Sequence, residues 1–495
     1  MVFKKILKNL AIFLGILIGI GFITLGCMYF IPNLTIFGLK FKKAGLNDAT
    51  IQNLAEYESQ CDCITLNIGH VNLDIVSAND DYRSTFAFAF RDDARGIVKK
   101  DKSTLSYTVT LEGTNLVIDF NEPEGWVFWK DTWATLTLSQ DWLTSLNKKI
   151  IINSSDGKVS VATSAEKSNG IRFAFTTTFD YVEFNSTGKG TFEISDNVVD
   201  LKVHSNKGKT TVSGLCDKLA YTTNKGELDF AAIGEINATA KNAYIHGKVV
   251  GGSFIYSGGD GKIDIERIGA EDAEAQTSIN GENVTTIISN VFGKIKLNVT
   301  KGDVKIENYK TSDYYLNEIK TEKSKIEVYN IDAAKLSLVS NKGQIISSAS
   351  GNGNISITNN SGKTTFTGQD SNGAKFSGSI YLISGNGEIN LNKISSSVSA
   401  ETTGKGKINA EFTNVNAENS LKTNKGKITV KVNIAESFVI NAQSAKKNVV
   451  VALNSIAVNY KDKSHEVKTI NVGGSDGTNK INIYAANAEI NISQI

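Results

Sequence analysis

The stretch SNKGKTTV (residues 205–212) returns as TNKGELDF (223–230), SNKGQIIS (340–347) and TNKGKITV (423–430). Each copy opens with a polar turn and closes on alternating residues. Read two and four places beyond the turn glycine, the pattern is apolar: Leu228 and Phe230 after Gly226, Ile428 and Val430 after Gly426. Further copies follow Gly157, Gly190, Gly261, Gly293, Gly302, Gly353, Gly387 and Gly406, with imperfect ones after Gly208, Gly343, Gly362 and Ser324. Period-two alternation places both positions on one face of a strand. Glycine suits the corner because it accepts positive φ.

Spacing decides how such units assemble. Gly190, Gly208 and Gly226 lie 18 and 18 apart, and Gly387, Gly406 and Gly426 lie 19 and 20 apart. Elsewhere the interval halves, to 9 between Gly293 and Gly302 and to 10 and 9 across Gly343, Gly353 and Gly362. A coil of two short strands and two corners produces both values. One such coil cannot bury its own apolar face, whereas a stack of them shares a core. The expectation is an all-β chain forming a β-solenoid, single-stranded and β-helix-like, of stacked two-strand coils. Roughly fifteen coils at about 4.8 Å each would make a rod on the order of 70 Å. The competing architecture is an antiparallel array closed by three-residue hairpin loops, which would not favour the longer period.

The composition agrees. The chain has 495 residues, 40% hydrophobic and 21% charged, with net charge +2. That balance excludes a disordered polyelectrolyte and gives no global signal for nucleic acid. Proline occurs only at Pro32 and Pro123; strands with neighbours on both sides exclude it, because it lacks the N–H donor, and biased codon usage is the alternative. The cysteines Cys27, Cys61, Cys63 and Cys216 are too sparse for a disulfide framework and read as free thiols.

Before the repeats, Leu10 to Ile31 runs 22 residues without a charge, and a helix of this length spans about 33 Å. An uncleaved anchor is expected, the alternatives being a signal peptide or a lipoprotein site at Cys27. Lys4, Lys5 and Lys8 precede it and Lys40, Lys42 and Lys43 follow, so the positive-inside rule nearly ties. The short N-terminal tail is placed in the cytoplasm and the rest outside. The resulting division is a tail (1–9), a transmembrane helix (10–31), a juxtamembrane linker (32–60) with a short helix capped by Asn47, an N-terminal β region that caps the solenoid (61–149), and the repeat solenoid (150–495).

The anchor, ITLNIGHVNLDIV (64–76), TLTLSQDWLTSLNKKIIINSSDGKVSV (135–161) and the repeated S-x-x-G-x-I-x-V units together resemble the bacterial putative-adhesin domains called Toastrack and their head-GIN relatives. The resemblance spans about residues 61–490 and departs from the family at Ser139-Gln140, where a proline is usual. It implies a β-solenoid outside a bacterial cell and carries over no catalytic residue.

Candidate chemistry is sparse. His70, His204, His246 and His465 are scattered. Glu227 with Asp229, and Asp264 with Glu266, alternate along strands in the manner of a carboxylate cleft or of a solvated face. GGDGKIDI (258–265) departs from the calcium β-roll pattern, with Ile263 where that pattern needs aspartate. No cofactor, metal or nucleic acid is expected. Lys189, Lys207, Lys225, Lys301, Lys342, Lys405 and Lys425 each stand directly before a turn glycine. Coils in register would align them into a basic ribbon for an anionic envelope polymer; solubility of the corners is the plainer role. Trp126, Trp129, Trp133 and Trp142 crowd one window before the array, either to stack on a saccharide or to seal the first coil. The expected function is a membrane-anchored, extracytoplasmic, non-enzymatic adhesin-like or envelope-structural protein meeting a polymer, glycan or surface protein. The alternatives are a glycan-active enzyme on a β-helix and an envelope stress-sensing module.

Overall fold

The computed structural model describes residues 2–31, 34–36, 38–42, 50–78, 86–91, 95–99, 105–122, 125–129, 132–163, 177–312, 314, 316–445, 448–454, 458–462, 467–473 and 477–495. They form two compact units, Met1–Cys216 and Asp217–Ile495.

In the first unit, Cys63–Gly69 and Asn72–Ser77 are the two strands of one coil. Lys149–Ser154 lies parallel on the first, with Ile150 on Ile64 and Ile152 on Leu66. Lys158–Ala162 lies parallel on the second, with Val159 on Leu73. Thr178–Ser186 and Thr191–Ile194 continue the stack, and residues 197–212 continue it again. Pairing between strands of successive coils, rather than between sequence neighbours, makes this a solenoid and sets the hairpin array aside.

The outer end of this stack is built out of chain order. Asn115–Asn121 and Trp133–Leu138 pair in parallel with the free side of the 63–77 coil, although they come later in sequence. Antiparallel strands then cover them: Ser106–Glu112 on the first, Ala87–Arg91 on the second, and Thr50–Asn53 on that. A separate antiparallel sheet joins Thr35–Ile36, Leu39–Lys42, Arg95–Lys99 and Gly125–Trp129. Residues 32–60 therefore contain strands where the sequence reads as a linker. The short helix is Ala55–Glu58 with Leu54 at its N-cap and no side-chain cap bond; Asn47 lies outside the described residues. The strands were missed because two- and four-residue pieces are too short to show alternation.

In the second unit, Lys335–Ser340, Asn354–Asn359, Ser379–Ser384, Ser397–Thr402 and Glu418–Thr423 stack as one parallel sheet. Ile326–Ala333, Ile345–Ala349, Thr364–Thr367, Ile389–Ile394, Ile408–Phe412 and Ile428–Val432 stack as the other. The far end again departs from chain order. Lys480–Ala485 is inserted between Glu418–Thr423 and Phe438–Ser444. Ile490–Gln494 is inserted between Ile428–Val432 and Val449–Ala452. Val467–Val472 and then Val458–Asp462 close the first of these sheets with antiparallel pairing, and Val449–Ala452 is the last strand described in the other.

The core follows the alternation. Both positions beyond every corner glycine, and beyond Ser324, are buried, including the polar Thr210, Ser347 and Thr364 of the imperfect copies. Each buried aliphatic contributes roughly 1.5–3 kcal/mol, an upper figure because the unfolded chain is already partly compact. Helix Val2–Phe30 shares none of this core: its apolar window Leu10–Cys27 is 0% buried.

Candidate functional site

The S/T-x-K-G corner is where the copies agree, and three of its positions have separate jobs. At several corners a buried hydroxyl or amide three places before the glycine ties the turn, and at Gly190 the tie comes from Ser186, four places before. The amide N–H of Gly157 donates to Ser154 Oγ at 3.0 Å, that of Gly343 to Ser340 Oγ at 2.9 Å and that of Gly426 to Thr423 Oγ1 at 3.0 Å. Asn359 serves Gly362 in the same way. Neighbouring rungs also join there, since Thr402 Oγ1 donates to Thr423 Oγ1 at 2.8 Å. The S-x-x-G motif singled this position out, but not the bond that its side chain accepts from the glycine N–H.

The glycine has a reason other than the one expected. Of the corner glycines named above, only Gly208, Gly293 and Gly302 have φ in the left-handed region, at 138°, 114° and 106°. Elsewhere the requirement is close approach. A β-carbon on Gly343 would collide with the Ser324 carbonyl oxygen, and one on Gly426 with that of Gly406. Gly362, Gly387 and Gly406 repeat this between them. The corners pack backbone on backbone, which fixes the lateral position of whatever precedes each glycine.

That residue is often lysine, and Lys189, Lys207, Lys225, Lys301, Lys342, Lys405 and Lys425 are all exposed. Among the described residues no carboxylate forms an ion pair with any of them. Lysines after the corner residue differ: Lys325, after Ser324, pairs with Glu327 at 2.8 Å, Lys427 with Glu489 at 3.2 Å and Lys363 with Glu388 at 3.9 Å. In the first unit Gly208 stands on Gly190, so Lys207 follows Lys189. In the second unit the register places Lys301, Lys323 and Lys342 on three successive coils. Ser361 and Asn386 come next, then Lys405 and Lys425. From Lys301 back toward Lys225 the equivalent places are Asn283, Asp260 and Asn242. The seven lysines thus make short runs rather than one ribbon. Lys323 belongs to the longest run and was missed because Ser324 replaces its glycine.

Glu327 pairs with Lys325, two places beyond Lys323, and not with the run itself. Burial opposes its charge, but bonds from Lys325 and Tyr329 outweigh burial and hold the carboxyl below its ordinary value. Its contribution to stability is therefore present above the ordinary glutamate pKa and fades as pH falls below it.

The other candidates scatter. Trp142 is buried, donates from Nε1 to the Cys61 carbonyl at 2.8 Å and packs near Phe86 and Phe179. Trp133 is 39% exposed. Trp126 and Trp129 lie in the Gly125–Trp129 strand, and their side chains lie outside the description. Burial pushes the Cys61 thiol up to about 11, and Cys61 and Cys63 are both free. Asp264 is bonded to Lys262 at 2.8 Å, and Asp229 lies 3.6 Å from His246. Cavities in the second unit lie elsewhere, one of about 290 Å³ beside Glu274 and Tyr314 and one of about 300 Å³ beside Asn482 and Tyr484.

The chain is similar to putative adhesins. A crystal structure of a putative adhesin from Bacteroides fragilis aligns over 50% of this chain and 99% of its own, at 16% identity and a TM-score of 0.34. A putative cell adhesion protein from Clostridium sporogenes aligns over 90% of this chain and 99% of its own, at 10% identity and a TM-score of 0.17. No family model and no curated protein matches the chain. The β-solenoid assignment rests on the strand pairing described above.

Proposed function

We propose that the chain is a membrane-anchored, extracytoplasmic, non-enzymatic protein of adhesin-like or envelope-structural type. The observation that carries this is the helix window Leu10–Cys27, free of charge, strongly apolar and with no residue buried in the protein. Such a surface left in water is costly, and a bilayer covers it at the right length. The test is protease shaving of intact cells followed by fractionation. We expect the β units to be cleaved from outside while a fragment carrying residues 10–31 stays with the membrane. Protection of the β units, or release of a full-length mature chain lacking the helix, would refute this reading.

The contact assigned to the corner edge is an anionic polymer, held at Lys301, Lys323 and Lys342. Three charges without carboxylate partners, about 4.8 Å apart, match a linear polyanion by many weak, salt-screened contacts. Changing all three to Gln is expected to lower markedly the salt concentration at which the protein leaves a polyphosphate resin. Stability should move by no more than about 0.5 kcal/mol for exposed sites of this kind. An unchanged elution position would remove the lysine assignment.

A further inference from the structure

The 300 Å³ cavity of the second unit lies on the outward face of the inserted coil, and no lysine of the corner runs lines it. Its floor is assembled from four strands far apart in sequence. Ser420 aligns with Asn482, Asn482 with Asn441, and Asn441 with Thr469. This file spans about 14 Å at the strand spacing. Asn441 Nδ2 donates to Asn482 Oδ1 at 3.0 Å, and Asn482 Nδ2 donates to Glu418 Oε1 at 2.9 Å. Thr469 Oγ1 donates to Asn441 Oδ1 at 3.3 Å. An amide nitrogen carries two hydrogens, so each asparagine is fixed by one N–H and retains a second. Beside the file stands Tyr484, 41% exposed, with Lys422 and Gln443 as its rung neighbours. Lys422 stands in register with Glu401 of the adjacent coil.

We infer that this face binds a neutral saccharide. The lining is mostly amide and hydroxyl with Lys422 its single charge, too few cations for a polyanion and too little apolar surface for an apolar ligand. Preset donors and acceptors at rung spacing suit a run of sugar hydroxyls, and an exposed tyrosine ring suits the apolar face of a pyranose. Both amides are held by the ladder before any ligand arrives, so little ordering cost is left for binding. The length accommodates a short oligosaccharide lying across the coils. The inference deepens the adhesin reading by naming a ligand class. Its test uses purified protein, so it can fail while surface display of the chain stands.

The experiment presents the full chain in nanodiscs to an array of immobilised neutral oligosaccharides built on glucose, galactose and N-acetylglucosamine. Retained sugars are then titrated free in solution. We expect at least one to be retained, Tyr484→Ala to weaken it roughly threefold to tenfold, and Tyr484→Phe to keep it. Asn482→Ala should weaken it as well, while Tyr314→Ala, at an exposed tyrosine beside the other cavity, should not. Thermal melts establish that each variant is folded. Failure of the folded wild type to retain any neutral sugar overturns the inference. So does retention unchanged in folded Tyr484→Ala and Asn482→Ala.

Discussion

A chain cut after residue 479 should lose the ordered C-terminal part of its second unit. The deletion removes Ile481, Ile483, Ile490 and Ile492, all at or below 2% exposure. At roughly 1.5–3 kcal/mol each, their burial amounts to about 6–12 kcal/mol as an upper figure, comparable with the whole stability of an ordinary domain. The missing coil is interior. Its removal leaves Glu418–Thr423 and Ile428–Val432 without partners on one side, and Phe438–Ser444 and Val449–Ala452 likewise. Limited proteolysis of the truncated chain should cut rapidly beyond about residue 432, and its melting transition should fall or split. A full-length-like melting curve and cleavage pattern would mean that the inserted coil is dispensable.

The second large effect belongs to a corner. Gly426→Val puts a branched side chain where even a β-carbon meets the carbonyl oxygen of Gly406. The backbone cannot retreat, because Ile428 is paired to Ile408 on one side and to Ile490 on the other. A loss of about 3 kcal/mol or more is expected, at the upper end for overpacking. In a unit of this size that corresponds to a fall of roughly 6–12 °C in melting temperature. Gly113→Asn is the control. Its φ is 65° but no atom approaches, and asparagine tolerates that conformation, so it should cost less than about 1 kcal/mol. Equal shifts for the two variants would argue against backbone packing as the reason for the corner glycines.

The alternation was legible in full: residues as ordinary as Ile263 and Leu297 are buried because their parity demands it. The corner was legible as a place but not as a mechanism. Positive φ and close packing both select glycine, and sequence cannot separate them. Register was lost wherever a loop changed the period. Gly362 and Gly387 are stacked neighbours 25 residues apart, since the segment closed by the Gln369–Lys375 bridge is inserted between them. Out-of-order coils are invisible for a different reason. INIYAANAEINI (481–492) alternates like any other copy, and nothing local states which gap it fills. The Tyr484 face was hidden with it, because Ser420, Asn441 and Asn482 meet only once that gap is filled.

The antiparallel strands that close these sheets bear on self-association. A parallel ladder ending on a bare rung would present unpaired amides and carbonyls, the template on which cross-β fibres grow. Among the described residues, both strand columns of the first unit end on antiparallel segments, Ser106–Glu112 and Thr50–Asn53, while in the second unit one column ends on antiparallel Val458–Asp462 and the other on the four-residue parallel strand Val449–Ala452. A second molecule cannot continue the parallel repeat in register past an antiparallel segment. Three of these four edges thus oppose in-register growth and the fourth offers only four residues, which works against fibre formation when many copies crowd together.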